Sequence, residues 1–418
     1  MDKLIDKNHL KNMCIKARKA SIDVLDCSGE MKNKALLQIA EDILEQKDLI
    51  IQMNKMDLNE GEKSGLSSAL LDRLKLTSDR IDSMATGLRD MAAFKEPIGE
   101  VLDGWRTDGG LHISKVRVPI GVIGMIFESR PNVTIDAAGL SIKSSNAIIL
   151  RGGKEAINSN IVLSNIARES LKKVGMPEDL VQVIPGTDRA LVKELITAND
   201  YVDCVIPRGG KGLKKAIIEN ATVPVIETGS GVCHLYVHKD ADKEMAINIA
   251  INAKTQRTGV CNAIESLLIH EDFEFKKELI DALLAKGVHI NGDEKSLALN
   301  QAITKASSED YYTEYLDMII SLKIVSSVDE AVDHINEHGT KHSEAIITKD
   351  VLTSEIFLNK VDASTVYLNA STRFTDGSEF GFGGEIGIST QKLHARGPMG
   401  VRELTTTKYI VRGNGNIR

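Results

Sequence analysis

A chain of 418 residues is too long for one simple core and implies two or three domains. Its hydrophobic share of 42% and charged share of 27% are those of a folded soluble protein, and a net charge of -7 argues against nucleic-acid and anionic-membrane partners. The five cysteines (Cys14, Cys27, Cys204, Cys233, Cys261) are scattered and odd in number, with no CxxC or Cys/His ligand spacing, so neither a disulfide framework nor a metal site is expected and a reducing compartment fits.

The opening run MDKLIDKNHLKN has no apolar segment of the kind a signal peptide needs. The longest apolar run, 118–127, is far too short to span a bilayer, so a cytoplasmic protein is expected. Residues 9–55 carry Leu36, Leu37, Ile39, Ala40, Ile43 and Leu44 at helical spacing. Residues 67–93 repeat the pattern with Leu70, Leu71, Leu74, Ile81, Met84 and Leu88. These stripes are core packing. Over 98–118 two alternating runs flank Asp108-Gly109-Gly110, which predicts a hairpin carrying the single tryptophan, Trp105. A hairpin cannot bury both faces alone, so it is either a subunit contact or an exposed flap.

From 119 the pattern becomes strand–helix alternation: PIGVIGMIF, NAIILRG, LVQVIP, VDCVIP and VPVIE are short apolar runs separated by helical stretches. That predicts parallel strands with right-handed crossovers, and ligands at their carboxyl ends. After residue 229 a second α/β unit begins. The glycine-rich segment 377–400 is either a disordered loop or one packed closely against a ligand, its interspersed apolar residues favouring the ordered reading, and the tail VRELTTTKYIVRG is expected to be an edge strand.

Neither GxGxxG nor GxxxxGK[ST] occurs. Two strand ends instead run into cationic glycine turns, Arg151-Gly152-Gly153-Lys154 and Arg208-Gly209-Gly210-Lys211. Cations beside exposed amides at a helix start suit a phosphate, although a solvated loop is the alternative for each turn taken singly. The loop NAKTQRTGVCNAIE places Cys261 near Lys254, Arg257 and Gly259. Nearby positive charge favours the thiolate, the form that attacks carbonyl carbon. The competing reading is a small buried hydrophobe, which is also the reading of the other four cysteines. His338 and His342 lie four apart without a third ligand, and no histidine is given a role.

QRTGVCNAIESLLIH, PIGVIGMIFESRPNVTIDAAGLSIKSSNAIILRGGKEA, VIETGSGVCHLYV, TEYLDMIISLKIV, NASTRFTDGSEFGFGGEIGISTQKLHARGPMG and ELTTTKYIVRG together resemble the aldehyde dehydrogenase superfamily. Within it they resemble the family of gamma-glutamyl phosphate reductases, over essentially the whole chain. The resemblance implies two Rossmann-like α/β domains and an oligomerisation element of hairpin plus C-terminal strand. On this chain that gives an NADP-binding domain at 1–97 and 119–228, a catalytic domain at 229–399, and the oligomerisation element at 98–118 and 400–418. It implies NADPH-dependent reduction of L-glutamyl 5-phosphate to L-glutamate 5-semialdehyde and phosphate through a cysteine thioester, the second step of proline biosynthesis from glutamate.

The resemblance also assigns roles. Cys261 takes the nucleophile position, and Asn132 that of an amide holding the oxyanion. Arg151 falls where a lysine contacts the adenosine ribose. Lys154 stands where NAD-preferring relatives carry a glutamate, which favours NADP. Glu314 matches a glutamate on the nicotinamide ribose, and Gly209 and Gly210 belong to the second cofactor turn. Lys254 and Arg257 are candidates for the departing phosphate. Arg373 and the 377–387 loop are candidates for the substrate carboxylate, the alternative for Arg373 being a surface pair with Asp376 or Glu379. Ser129 and Arg130 are further candidates.

The water-activating Glu-Leu-Gly-Gly of hydrolytic relatives is replaced by Glu227-Thr228-Gly229-Ser230, and Glu227 is left unassigned. A homo-oligomer and transient contact with glutamate 5-kinase are the partners implied. The competing readings are a CoA-acylating aldehyde dehydrogenase, a thiol acyltransferase or hydrolase without a redox cofactor, and a non-catalytic partner that keeps the fold.

Overall fold

The amphipathic N-terminal region forms separate helices, three of them opened by side-chain caps: α1 (Lys7–Asp23), α2 (Gly29–Glu45), α3 (Lys47–Lys63), α4 (Ser68–Leu74) and α5 (Ser78–Ala93). Ser28 accepts from Met31 N, Ser67 from Leu70 N and Thr77 from Arg80 N, each satisfying a first-turn amide. The single helices expected over 9–55 and 67–93 are therefore three and two. Leu36, Ile39, Ala40 and Ile43 are core residues as expected, whereas Leu37 faces outward. The computed structural model describes residues 7–382 and 384–418, the side chains of Lys7, Ala69 and Lys211 excepted. The start of the opening run and Gly383 of the glycine-rich segment thus lie outside the described residues.

The chain divides into two units. The first comprises Met1–Glu227, Gly381–Gly387 and Met399–Arg418, the second Thr228–Phe380 and Ile388–Pro398. In the first, β1 (Val101–Arg106) and β2 (His112–Pro119) form the hairpin, with Trp105 opposite Ile113. Gly110 takes the positive φ of 86° that its turn requires. The C-terminal strand Thr405–Arg412 pairs antiparallel with β2 to make a three-stranded sheet. Trp105 and Tyr409 meet edge to face across it at 6.1 Å. Both rings and Val411 remain largely exposed.

The first unit's parallel sheet is built from β3 (Val122–Phe127), α6 (Asn132–Lys143), β4 (Ala147–Arg151), α7 (Ile157–Lys173), β5 (Val181–Val183), α8 (Ala190–Ile196), β6 (Cys204–Arg208) and α9 (Lys211–Asn220). The strand order is β5-β4-β3-β6. Every residue of β3 is buried, as a continuous apolar run between two helical layers must be. The order reverses between β3 and β6, the point where such sheets open a ligand crevice, and there Phe127 lies opposite Arg208. The expected strand VPVIE is reduced to one bridge, Val205 with Val225. Pro224 has no N–H to extend that ladder.

The second unit holds β7 (Cys233–Val237), α10 (Lys243–Thr255), β8 (Ile264–His270), α11 (Lys276–Ala285), β9 (His289–Gly292), α12 (Glu294–Leu297), β10 (Thr304–Lys305), β11 (Ile319–Val325), α13 (Val328–His338), β12 (Ser343–Ile347), α14 (Val351–Lys360) and β13 (Thr365–Leu368). They form a seven-stranded parallel sheet in the order β10-β9-β11-β8-β7-β12-β13. The glycine-rich segment is shared out between the units rather than lying wholly in a 229–399 domain. Ile386 N donates to Met399 O at 3.0 Å, Met399 N to Gly387 O at 2.9 Å, and Arg208 Nη1 to Ile386 O at 2.9 Å, which fastens 381–387 into the first unit. Among the described residues no helix is long and apolar enough to cross a membrane.

One buried amide ties the first unit's tail to its sheet. Asn146 Oδ1 accepts from Gly121 N at 2.8 Å, and its Nδ2 donates to Ser144 Oγ at 2.8 Å and to Leu404 O at 2.7 Å. Asn146→Ala leaves Gly121 N and Leu404 O without these bonds. It should cost about 1–3 kcal/mol in urea unfolding; unchanged stability would contradict this reading of the tail's attachment.

Candidate active site

The loop around Cys261 is fixed at both ends by buried charge. α10 begins at a cap in which Asp242 accepts from Met245 N, and it ends one residue before Gln256. Near that end, Lys254 Nζ reaches Glu265 Oε2 at 2.5 Å and Ile264 O at 3.0 Å. Glu265, the second residue of β8, also accepts from Leu316 N at 3.1 Å. Both side chains are fully buried. Burial pushes the Glu265 carboxyl up to about 7 and the Lys254 ammonium down, and their mutual contact opposes both shifts. Lys254 is therefore not the phosphate partner its position in the sequence suggested. Its ammonium is enclosed and engaged.

Cys261 itself is half-buried. Its carbonyl accepts from Cys233 Sγ at 3.1 Å. Gly231 packs so tightly on it that a Cβ at that position would fall on the Cys261 carbonyl. Gly231 N donates to Glu314 Oε1 at 2.7 Å, so the glutamate expected at the cofactor ribose is one residue removed from the thiol loop. The other thiols are poor nucleophiles. Burial pushes Cys14 up to about 11, Cys204 up to about 12, and Cys233 well above the usual thiol range.

Asn262 anchors the far side of the loop. Its Nδ2 donates to Thr375 O at 2.9 Å, and its carbonyl accepts from Thr372 Oγ1 at 2.6 Å. This brings in Arg373, whose Nε donates to Gln256 Oε1 at 2.8 Å. Burial, then the neighbouring Arg257, holds the Arg373 guanidinium below its usual range, while Cys261 and Asp376 oppose that shift. Thus Cys261, Arg257 and Arg373 share one neighbourhood and Lys254 does not enter it. The thiol precedes β8, so it lies at the amino ends of the second sheet's strands, not at the carboxyl ends where ligands of such sheets are expected.

In the first unit the strand ends are lined by carboxylates bound to backbone. Glu128 Oε2 accepts from Gly210 N at 2.9 Å. Glu155 Oε1 accepts from both Ser129 N and Ser129 Oγ at 2.7 Å, with Ser129 in the left-handed region at φ 41°. The Gly210 amide expected to face a phosphate is thus engaged by Glu128, and a Cβ on Gly209 would strike the same carboxylate. The side chain of Lys211 lies outside the described residues. Asn132 opens α6, and its Nδ2 donates to Asp136 Oδ2 at 2.9 Å. Arg151 is buried; Nη1 donates to Gly152 O at 2.8 Å and Nη2 to Thr187 O at 3.0 Å, while Nε is buried without a partner. Lys154, three residues on, is exposed. A buried guanidinium with a spare donor beside an exposed ammonium fits the ribose and phosphate of a dinucleotide.

The comparisons decide the family. The aldehyde dehydrogenase family model matches residues 3–317. The chain belongs to the aldehyde dehydrogenase family. It is 54% identical over 404 residues to a gamma-glutamyl phosphate reductase of Clostridium beijerinckii, covering 96% of this chain and 98% of that one. The crystal structure of a gamma-glutamyl phosphate reductase from Thermotoga maritima superposes with a TM-score of 0.95 at 46% identity, covering 98% and 99%. An acetylating aldehyde dehydrogenase from Geobacillus thermoglucosidasius, 17% identical with a TM-score of 0.71 and 98% coverage of both chains, shares the fold. Within the family this chain groups with the gamma-glutamyl phosphate reductases and is an oxidoreductase. Such enzymes use a nicotinamide cofactor, which the Arg151 end of β4 suits. Among the described residues no group of three or more His, Cys, Asp or Glu could hold a metal ion.

Sequence reasoning did not find Glu265, Gly231 or Asp136. Their roles arise from burial and tertiary contact, and only the short Cys261–Glu265 spacing hinted at the first. The Lys254–Glu265 pair makes a direct prediction. Lys254→Met or Glu265→Leu alone strands one buried polar partner and should cost about 3–5 kcal/mol, while the double variant should cost less than either single. Denaturant unfolding of all four proteins measures this; additive losses would contradict it.

Proposed function

We propose that this enzyme reduces L-glutamyl 5-phosphate to L-glutamate 5-semialdehyde and phosphate with NADPH, the second step of proline biosynthesis from glutamate, using Cys261 as acyl carrier. The observation that carries the reading is the half-buried Cys261 thiol with Arg257 and Arg373 around it, in a chain so similar to enzymes of that name. The Cys261 thiolate attacks the acyl carbon, a carbon–sulfur bond forms, and the carbon–oxygen bond to phosphate breaks with its electron pair leaving on phosphate. Arg257 and Arg373 are assigned to the anionic groups of the substrate, phosphate and carboxylate. The Asn132 amide and the Cys261 N–H are assigned to the oxyanion, each worth roughly 3 kcal/mol.

NADPH would supply the hydride that takes the acyl carbon to the aldehyde level, and the carbon–sulfur bond breaks with its electron pair returning to Cys261. Arg151, Lys154 and Glu314 are the residues assigned to hold NADPH, with Gly209 and Gly210 at the neighbouring strand end. A cation at Lys154 supports NADP over NAD, because a 2′-phosphate meets an ammonium there. The Glu227-Thr228-Gly229-Ser230 run, in place of Glu-Leu-Gly-Gly, fits an enzyme that has no use for activated water. The three-stranded sheet, with its exposed Trp105 and Tyr409, is assigned to subunit assembly. A cytoplasmic setting and a brief encounter with the kinase that makes the acyl phosphate complete the proposal.

The reverse reaction tests it. Oxidation of glutamate 5-semialdehyde should require inorganic phosphate and be unsupported by CoA; CoA-dependent turnover without phosphate would overturn the assignment. Lys154→Glu should lower kcat/KM for NADP by about tenfold or more, a change of about 1.4 kcal/mol, and spare NAD. Equal losses with both cofactors would remove Lys154 from the 2′-phosphate. Trp105→Ala combined with Tyr409→Asp should lower the assembled mass by light scattering, and an unchanged mass would place assembly elsewhere.

A further inference from the structure

We propose that Asp136 is a positioning residue for the Asn132 amide: it dictates which end of that amide is nitrogen and leaves the second N–H for the acyl oxygen. This rests on the oxyanion role assigned to Asn132 above. The two residues are four apart in α6, so they share a face one turn from each other. The contact is Asn132 Nδ2 to Asp136 Oδ2 at 2.9 Å.

The chemistry of the pair gives it direction. A primary amide is nearly symmetric in shape, and its oxygen and nitrogen exchange places by a half-turn of the side chain. Only the nitrogen end stabilises an oxyanion; the carbonyl end repels it. A carboxylate is acceptor-only and admits the NH2 end alone. The half-turned amide would set oxygen against oxygen. One Nδ2 hydrogen is thus committed to Asp136, and the other has no hydrogen-bond partner among the described residues.

The setting of Asp136 marks it as something other than a stabilising element. The Asn132 amide is its hydrogen-bond donor, and no ion pair to it is formed among the described residues. Burial raises its carboxyl above the usual range, with the Asn132 bond and the more distant Arg208 guanidinium opposing. Arg208 itself donates to Ile386 O. Glu128 and Glu155 differ, since each accepts from backbone N–H and so holds a turn in place. A half-buried carboxyl with one neutral partner adds little to stability, so its removal should not loosen the fold.

The test is a mutant cycle in the phosphate-dependent oxidation of glutamate 5-semialdehyde by the full chain. Asn132→Ala should lower kcat by about a hundredfold. Asp136→Leu should lower it by about tenfold, leave KM for semialdehyde and phosphate unchanged, and melt no lower than the wild type. Asp136→Asn, whose amide can present either its carbonyl or its NH2 end to Asn132, no longer dictates the orientation and should fall between the wild type and Asp136→Leu. In the Asn132→Ala background, Asp136→Leu should have no further effect on kcat. Asp136→Ala gives the same readouts if leucine crowds the site. Losses that multiply in the double variant, or a kcat loss that tracks a lower melting temperature, would overturn the inference and leave Asn132 in place. Wild-type kcat in Asn132→Ala would overturn both.

Discussion

A lysine and a glutamate taken wholly out of water hold the Cys261 loop of this enzyme. Lys254 closes one side of the loop and Glu265 the other, at 2.5 Å, and each uses its remaining capacity on backbone, Ile264 O and Leu316 N. Two ions buried in this way gain little net stability relative to a well-packed apolar pair, because desolvation cancels much of their attraction. They gain geometry, since neither group can move without stranding the other. The end of α10 and the start of β8 are thereby set at one separation, and the residues between them, Cys261 included, inherit it.

The same logic recurs at smaller scale. In the second unit, the absence of a side chain at Gly231 lets backbone reach the Cys261 carbonyl, while its N–H goes to Glu314. Glu314 and the thiol loop are thus coupled through one glycine. In the first unit, carboxylates of Glu128 and Glu155 hold the turns after β6 and β3, respectively, by accepting amide protons. Negative charge there is satisfied by backbone. Each site is assembled by ordinary polar satisfaction carried out with charged residues.

Much of the fold was legible because its strands are pure signals. β3, β4 and β8 are unbroken apolar runs, and buried runs of that length between helical stretches have few other solutions. The hairpin was legible from Asp108-Gly109-Gly110, and the tail from its alternation. Helix boundaries were less so. The Ser28 and Thr77 caps interrupt helices whose apolar stripes resume at once, and periodicity passes over such breaks. The site was half legible. Cys261 and Arg373 lie in one neighbourhood, but a lysine seven residues before a candidate thiol reads as an active cation until its burial is known. His234 is a core residue, bonded to Glu344 at 2.9 Å. Asp136 was invisible because nothing in VTID distinguishes a surface aspartate from one bonded to an active-site amide.

The central claim is that the acyl group passes through the Cys261 thiol. Rapid acid quench of the enzyme mixed with L-glutamyl 5-phosphate in the absence of NADPH, followed by mass spectrometry of its peptides, tests it most directly. The account predicts one glutamyl group on the peptide containing Cys261, lost on addition of NADPH and absent from Cys261→Ala. A glutamyl group on another residue, or undiminished turnover by Cys261→Ala, would contradict it.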